Sequence, residues 1–129
     1  MYIYMIMPVG SDPEYAAKRE VLQSLESTNR VQLHLPFERT DLHAIQPSDV
    51  LGDLKRAELV VADLSLERPS CYFELGLAQA LEKPCVLVAK RGTALHQVFG
   101  RSQTQFYVDL DDYAHLMLSI VAGREGGAV

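Results

Sequence analysis

Hydrophobic and polar positions alternate along the chain in blocks that predict strands and helices in regular succession. Three short runs rich in strand-forming residues, at 2–7 (YIYMIM), 58–63 (ELVVAD) and 85–89 (CVLVA), are typical of strands buried on both faces. Residues 31–37 (VQLHLPF) instead alternate with a period of two, and the proline in this run predicts an edge strand or a strand end. Residues 105–110 (QFYVDL) predict a fifth strand.

Helical patterns separate these runs, and most have a recognisable start. Residues 12–14 (DPE) supply an N-cap, a proline at the first helical position and an acid in the first turn. Ser48 and Asp111 are the predicted N-caps of the second and the last helix. Residues 73–81 are apolar on nearly every face, and Gly123 is the predicted end of the last helix.

The resulting order of elements is β-α-β-α-β-α-β-(short helix or loop)-β-α, which predicts an α/β fold with a parallel sheet covered on both faces. Five strands favour a flavodoxin-like three-layer sandwich with the strand order 2-1-3-4-5. A chain of 129 residues has room for one such domain. The domain is predicted over residues 1–123, with 124–129 as a flexible C-terminal tail.

Composition and charge narrow the range of partners. Seventeen acidic residues against twelve basic ones give a formal charge of −5, so no basic field is present to bind a nucleic acid polymer. The apolar N-terminal run is too short to span a bilayer and lacks the features of a signal peptide, which predicts a cytoplasmic protein without membrane association. Two cysteines in apolar sequence and four histidines without metal-ligand spacing predict reduced thiols and no metal site.

Candidate chemistry lies after the first and third predicted strands. In a sheet of this order, ligands bind outside the carboxyl ends of the strands, near the point where the strand order reverses. The rule selects residues 8–13 (PVGSDP) and 63–74 (DLSLERPSCYFE). In the first segment, Gly10 and Ser11 either let the backbone approach a phosphate or sugar at a helix N-terminus, or form an ordinary turn.

The second segment contains two acids of interest. Glu74 is predicted in the first turn of an apolar helix, where it either complements the helix dipole or stays ionised and faces the cleft. In the second case it can attack or stabilise a developing oxocarbenium carbon. Asp63 either accepts N–H groups of its own loop or takes part in catalysis. Neither Ser11 nor Ser65 lies in a GxSxG elbow, so serine-hydrolase chemistry is not predicted.

Three stretches resemble the nucleoside 2-deoxyribosyltransferase superfamily: 4–9 (YMIMPV), 53–65 (DLKRAELVVADLS) and 69–76 (PSCYFELG), the last followed by small and apolar positions and a Lys-Pro pair up to 84. The resemblance extends over residues 4–110. It is closest to a bacterial branch often described as TIR-like nucleotide-binding domains. It therefore implies a protein that binds a small nucleoside or nucleotide.

The resemblance assigns roles to individual residues. In that superfamily the glutamate of the E-L-G motif is the nucleophile, and the transferases form a covalent sugar–enzyme intermediate on it; the match places this role on Glu74. A tyrosine near the end of the first strand in several members matches Tyr4, with Pro8 as the anchor of that alignment. From the segment after the third strand, Ser65 and Tyr72 are also predicted to bind substrate.

One position departs from the pattern. The transferases carry a second acid in the helix before the third strand, and Val50 occupies that position here. Asp49 is one residue away and Asp53 lies one helical turn further on, so either can bring an acid to the cleft. Asp63 is a third alternative for moving the proton to the leaving base.

Two functions of different classes follow. The leading hypothesis is an enzyme that cleaves or transfers at an N-glycosidic bond with a glutamate nucleophile and needs no metal or redox cofactor. The alternative is a non-catalytic TIR-like nucleotide-binding or signalling module on the same fold. Because superfamily members commonly complete their sites across a subunit interface, the resemblance also implies a homo-oligomer, a dimer or larger.

Overall fold

Strands and helices alternate along the chain as the apolar pattern predicts. The computed structural model describes residues 1–36, 47–96 and 99–125. The strands in these ranges are β1 (Tyr2–Ile6), β2 (Gln32–His34), β3 (Leu59–Asp63), β4 (Cys85–Lys90) and β5 (Gln105–Tyr107). The α-helices are α1 (Tyr15–Thr28), α2 (Pro47–Arg56), α3 (Pro69–Ala80) and α4 (Leu110–Glu125). Two short 3-10 helices cover Ser65–Glu67 and Arg101–Gln103.

The five strands form one sheet in the order β2-β1-β3-β4-β5, and every neighbouring pair is parallel. This confirms the predicted α/β three-layer fold with strand order 2-1-3-4-5. Strand β2 lies at an edge of the sheet, where a nearby proline is tolerated. The order reverses between β1 and β3, so the loops after these two strands lie side by side at the carboxyl edge.

Each face of the sheet has its own apolar layer. Successive residues of a strand point to opposite faces, so Ile3 and Val61 pack with α1 and α4. Tyr4 and Val60 pack on the other face with α2 and α3. The face to which a side chain points determines which other candidate residues it can contact. Asp63 points to the same face as Val61, and Tyr4 points to the opposite face.

The first two helix starts differ from the prediction. Helix α1 begins at Tyr15, so Asp12 is not its N-cap; the Asp12 carboxylate instead accepts the Glu14 N–H at 2.9 Å in the turn before the helix. The same carboxylate forms an ion pair with Lys18 of α1, and this pair holds Asp12 outside the helix. Helix α2 begins at Pro47, which places Ser48 inside the first turn and not at the cap.

The third helix begins earlier than its apolar run. Arg68 is the N-cap residue and Pro69 takes the first helical position, where its missing N–H costs nothing. The helix therefore starts four residues before the predicted 73, and Glu74 lies in its second turn. The prediction of Glu74 in the first turn was wrong because the helix begins with a proline and a serine, which an apolar pattern does not mark as helical.

The last helix is capped by Asp109 and not by the predicted Asp111. The Asp109 side chain accepts the N–H of Asp112 at 2.9 Å, and its carbonyl accepts the N–H of Tyr113. The Asp112 carboxylate in turn accepts the N–H of Val108 at 2.8 Å, which closes a reciprocal cap. The helix continues to Glu125, past the predicted end at residue 123, and residues 126–129 of the predicted tail lie outside the described residues.

We expect Asp109→Ala to lower the free energy of unfolding by about 1 kcal/mol, the usual cost of losing a side-chain N-cap. Asp111→Ala is the matched control, because this first-turn acid contributes only through the helix dipole, about 0.3–1 kcal/mol at most. Urea unfolding of both variants measures the difference. An equal or larger loss for Asp111→Ala would contradict the assignment of the cap.

Within the described ranges, none of the helices is both long enough and apolar enough to cross a membrane.

Candidate functional site

Tyr4 and Glu74, 70 residues apart in sequence, meet between the sheet and α3. The Tyr4 hydroxyl donates a hydrogen bond of 2.7 Å to Oε1 of Glu74. Tyr4 is 3% exposed and reaches the carboxylate because its position in β1 points to the α2 and α3 layer. The structure therefore brings together the two residues that the resemblance places at the centre of the site.

The surroundings of this pair shift the pKa values of both side chains. Burial raises the pKa of Glu74, and the hydrogen bond from Tyr4 partly offsets that rise. The second-turn position and the raised pKa both differ from the expectation that a helix N-terminus keeps Glu74 ionised. Burial, followed by the charge of Glu74, also raises the pKa of the Tyr4 hydroxyl, which therefore remains a donor.

His34 and Asp53 extend the site along the same face. The His34 ring stacks on Tyr4 with ring centres 4.6 Å apart and 14° between the planes. Asp53 lies 3.7 Å from Nε2 of His34 and binds Arg56 on its own helix. His34, Asp53 and Arg56, together with Tyr2, line a cavity of about 570 Å³ beside the edge strand. Burial lowers the pKa of His34, and the charge of Asp53 opposes that shift.

Among the alternatives for the second acid, Asp53 is the one whose charge acts on Tyr4. Val50 is 9% exposed and packs in the apolar layer with Tyr4. Asp49 is exposed on the preceding position of α2. Asp53 is one turn further on, and its charge contributes to the raised pKa of Tyr4. Asp63 is on the opposite face of the sheet from Glu74.

Asp63 belongs to a buried ionic network. Its side chain is fully buried, and Oδ1 accepts the N–H of Ser65 at 3.0 Å. Oδ2 accepts the Tyr107 hydroxyl at 2.8 Å and lies 3.4 Å from Nζ of Lys18. The same ammonium donates to Asp12 at 2.8 Å and to Tyr107 at 2.7 Å. Asp63 thus organises its own loop and ties α1 and β5 to the carboxyl edge, and the structure does not bring it to Glu74.

Lys18 stays charged despite being 2% exposed. Burial lowers its pKa, but the charge of Asp63 and the hydrogen bonds to Asp12 and Tyr107 outweigh this, and the net pKa is raised. Burial and the charge of Asp63 raise the pKa of Tyr107 to about 12. The sequence contains a signal for this network that was missed: Lys18 lies on the buried stripe of α1, between Tyr15 and Leu22 at helical spacing.

The loop after β1 contributes the other predicted binding residues. Pro8 is buried, whereas Gly10 and Ser11 are exposed at the carboxyl edge. A Cβ atom added to Gly10 would meet no atom within 4 Å, so packing does not require a glycine there. The open space leaves room for a ligand beside this backbone.

The loop after β3 holds its predicted residues through internal contacts. The Ser65 hydroxyl accepts the N–H of Lys90 at 2.7 Å and contacts Tyr107. The Tyr72 hydroxyl donates to Glu67 at 2.8 Å. Glu67 and the preceding residue both have positive φ angles, 45° and 66°, which is uncommon for residues other than glycine. The loop is therefore held in a strained conformation between β3 and α3.

We expect Tyr4→Phe to raise the pKa of Glu74 further, because the variant loses the one hydrogen bond that lowers it. A raised pKa in the folded state makes stability greatest below the pKa of the unfolded chain and reduces it as pH rises. The variant should therefore lose about 1.5–3 kcal/mol at neutral pH and less in acid. Carboxyl NMR titration and urea unfolding at both pH values measure this. Tyr2→Phe is the control; an equal effect there would contradict the pairing.

No family model and no curated protein sequence matches the chain. Solved structures do. The CMP N-glycosidase BcmB of Clostridium botulinum matches with a TM-score of 0.68 at 13% identity, over 91% of this chain and 98% of that one. The 2-deoxyribosyltransferase of Bacillus psychrosaccharolyticus matches with a TM-score of 0.63 at 16% identity, over 88% and 90%.

A 2-desoxiribosyltransferase from Leishmania mexicana is also similar, with a TM-score of 0.54 at 24% identity. The match covers 69% of this chain and 64% of the Leishmania protein. This chain therefore spans less than two thirds of the length of that protein. At these identities the similarity describes architecture. The chain therefore has the fold of the nucleoside deoxyribosyltransferases, which a CMP N-glycosidase shares.

Proposed function

We propose that the protein binds a nucleoside or nucleotide and cleaves or transfers at its N-glycosidic bond, with Glu74 facing the anomeric carbon. The observation that carries the proposal is the 2.7 Å hydrogen bond between Tyr4 and Glu74. It fixes a half-buried carboxylate of α3 against Tyr4, on the face of the sheet that α2 and α3 cover. The names of the similar structures support the same class of substrate.

The proposed reaction uses Glu74 as nucleophile or as electrostatic partner of the sugar cation. In the covalent route, a bond forms between a Glu74 oxygen and the anomeric carbon while the bond to the base nitrogen breaks. The base leaves with the electron pair and takes up a proton. Water or a second base then attacks the anomeric carbon, gives up a proton to the acid that protonated the leaving base, and releases Glu74 with the electron pair of the broken bond.

An acid of α2 is the proposed donor of the proton that the leaving base takes up. Asp53 is the proposed second acid, since it lies 3.7 Å from Nε2 of His34, whose ring stacks on Tyr4. Asp49 is the alternative on the exposed side of the helix. Asp63 is left out because its oxygens are held by the buried network. Gly10 and Ser11 are proposed to hold a sugar hydroxyl or a phosphate in the open space at the carboxyl edge.

A substrate panel tests the proposal. The protein at high concentration is incubated with ribo- and deoxyribonucleosides, their monophosphates and NAD, each with and without an acceptor base, and free base is separated by chromatography. Release or exchange of a base from at least one compound is expected. No release from any of them contradicts the enzymatic proposal.

A second candidate is a non-catalytic nucleotide-binding module of the TIR-like branch. The observation that favours it is Val50 in the apolar layer, where the transferases carry an acid. Calorimetry with the same panel separates the two. Binding without base release from any compound would support the module.

We further propose a homo-oligomer in which a neighbouring subunit covers the site. The described residues form one sheet with its covering helices, and Gly10 and Ser11 at its carboxyl edge are exposed, which leaves this edge open to a neighbouring subunit. Size-exclusion chromatography with light scattering is expected to give a dimer or larger species. A monomer at micromolar concentration contradicts this.

A further inference from the structure

A second cavity, of about 570 Å³, opens at the other end of α3 from its N-terminus. It lies against the first residues of β4 and β5, on the face that α3 covers. In the described part of the β4–β5 connection, the helical structure is the 3-10 helix Arg101–Gln103, so this strip of the sheet has no α-helix over it. The volume is within the range of small-molecule sites, roughly 300–1,000 Å³.

We propose that this cavity binds a nucleobase with an exocyclic amino group, such as adenine or cytosine. The side chains that carry the proposal are an acid, three amides, an aromatic ring and an aliphatic wall: Glu82, Gln79, Gln103, Gln105, Phe99 and Leu87.

Glu82 is the first observation, because it occupies a position where glycine is the usual residue. Helix α3 ends in a Schellman motif, in which the Lys83 N–H bonds to the carbonyl of Ala78 and the Glu82 N–H to that of Gln79. Glu82 has a φ of 58°, which glycine adopts without strain. The sequence therefore keeps a carboxylate at the cavity in a conformation that folding alone would assign to glycine.

The remaining lining matches a flat heteroaromatic ring. Phe99 is 74% exposed, so its ring offers a stacking surface, and Leu87 supplies an apolar wall. The Gln79 amide nitrogen donates to the carbonyl of Phe99 at 3.3 Å and so holds the rim of the cavity. Gln103 and Gln105 are the amides assigned to the edge of the base, where they can both donate and accept. A carboxylate only accepts, so Glu82 selects an amino group over a carbonyl at the same ring position.

Glu82 is the acidic residue in the lining of the cavity, and the ammonium group of its neighbour Lys83 is directed elsewhere. The Lys83 ammonium donates to the carbonyls of Lys55 and Ala57 at 2.7 and 3.0 Å, which directs it toward the end of α2. Glu74 lies six residues before Ala80, the last residue of α3, or about 9 Å of helix at 1.5 Å per residue, and Glu82 lies beyond that end. The cavity is thus separate from the Tyr4–Glu74 pair, and base binding there does not depend on turnover.

Isothermal titration of the full chain with free bases tests the proposal. Adenine and cytosine are expected to bind, with hypoxanthine and uracil at least tenfold weaker, because a carbonyl then faces Glu82. Glu82→Gly is expected to weaken adenine at least tenfold while raising Tm, which separates lost recognition from lost folding. Phe99→Ala should weaken all bases, and Glu58→Gln, which lies outside both sites, should leave their affinities unchanged.

Three results would overturn it. One is equal affinity for adenine and hypoxanthine, and another is adenine binding that Glu74→Gln abolishes and Glu82→Gly does not change. The third is no binding at millimolar base together with a dimer that Phe99→Ala dissociates, which would make this face an interface between copies. Base release at Glu74 is scored separately, so failure here leaves the proposed function standing, and the reverse also holds.

Discussion

Replacing Lys18 by methionine is expected to lower the free energy of unfolding by about 3–5 kcal/mol, the cost of breaking a buried ion pair by removing one partner. Lys18 is 2% exposed, and its ammonium contacts Asp12, Asp63 and Tyr107 within 3.4 Å. Without it, the fully buried Asp63 carboxylate loses its counter-ion. Methionine fills most of the space, so the loss reports charge and hydrogen bonding more than volume.

Lys90→Met is the matched control for this loss. The Lys90 ammonium pairs with Glu14 at 2.8 Å, but the two side chains are 48% and 37% exposed. Exposed pairs contribute about 0–1 kcal/mol. Urea unfolding of both variants, and a double-mutant cycle with Asp63→Asn, measures the difference. If Lys18→Met costs no more than Lys90→Met, the network does not stabilise the carboxyl edge.

The same network predicts a loss of stability in alkali. Lys18 and Tyr107 both have raised pKa values in the folded state, the latter about 12 against an ordinary value of 10.0. Their contribution is complete below the unfolded values and disappears as pH rises through the folded ones. Wild-type stability should therefore fall more steeply above pH 10 than that of Lys18→Met.

The sheet could be predicted because its strands are short apolar runs in a regular order. The periodicity and the connection rules together specify the sheet order without any knowledge of contacts. The first residues of the helices were harder to predict than the strands. Asp109 and Asp111 are both acids beside the last helix, and the choice between them depends on which backbone N–H groups are within reach.

The site was predictable only in part. The resemblance identified Tyr4 and Glu74, but their pairing across 70 residues depends on the strand face, which the sequence does not state for a strand buried on both sides. The Lys18–Tyr107 contact spans 89 residues and was missed because the helix pattern was assessed by its apolar positions. His34 was considered only as a metal ligand and not as a ring that stacks on Tyr4.

Glu74→Gln is expected to have the largest effect on activity, a loss of about 10³-fold or more in the rate of base release. Glutamine keeps the size of the side chain and an oxygen that accepts the Tyr4 hydroxyl. It removes the negative charge and the nucleophile. The loss should therefore appear in kcat, with the affinity for nucleotide little changed, because the interaction with the sugar carbon strengthens only as the cation develops.

The most direct measurement compares base release by the wild type, Glu74→Gln and Glu58→Gln on the compound that the wild type processes fastest. Glu58 precedes β3 and accepts the N–H of Tyr2, the first residue of β1, at 3.1 Å, and glutamine keeps that contact. We predict that Glu74→Gln loses about 10³-fold or more of kcat, while Glu58→Gln matches the wild type. A Glu74→Gln variant that releases base at the wild-type rate would contradict the assignment of Glu74 to the anomeric carbon.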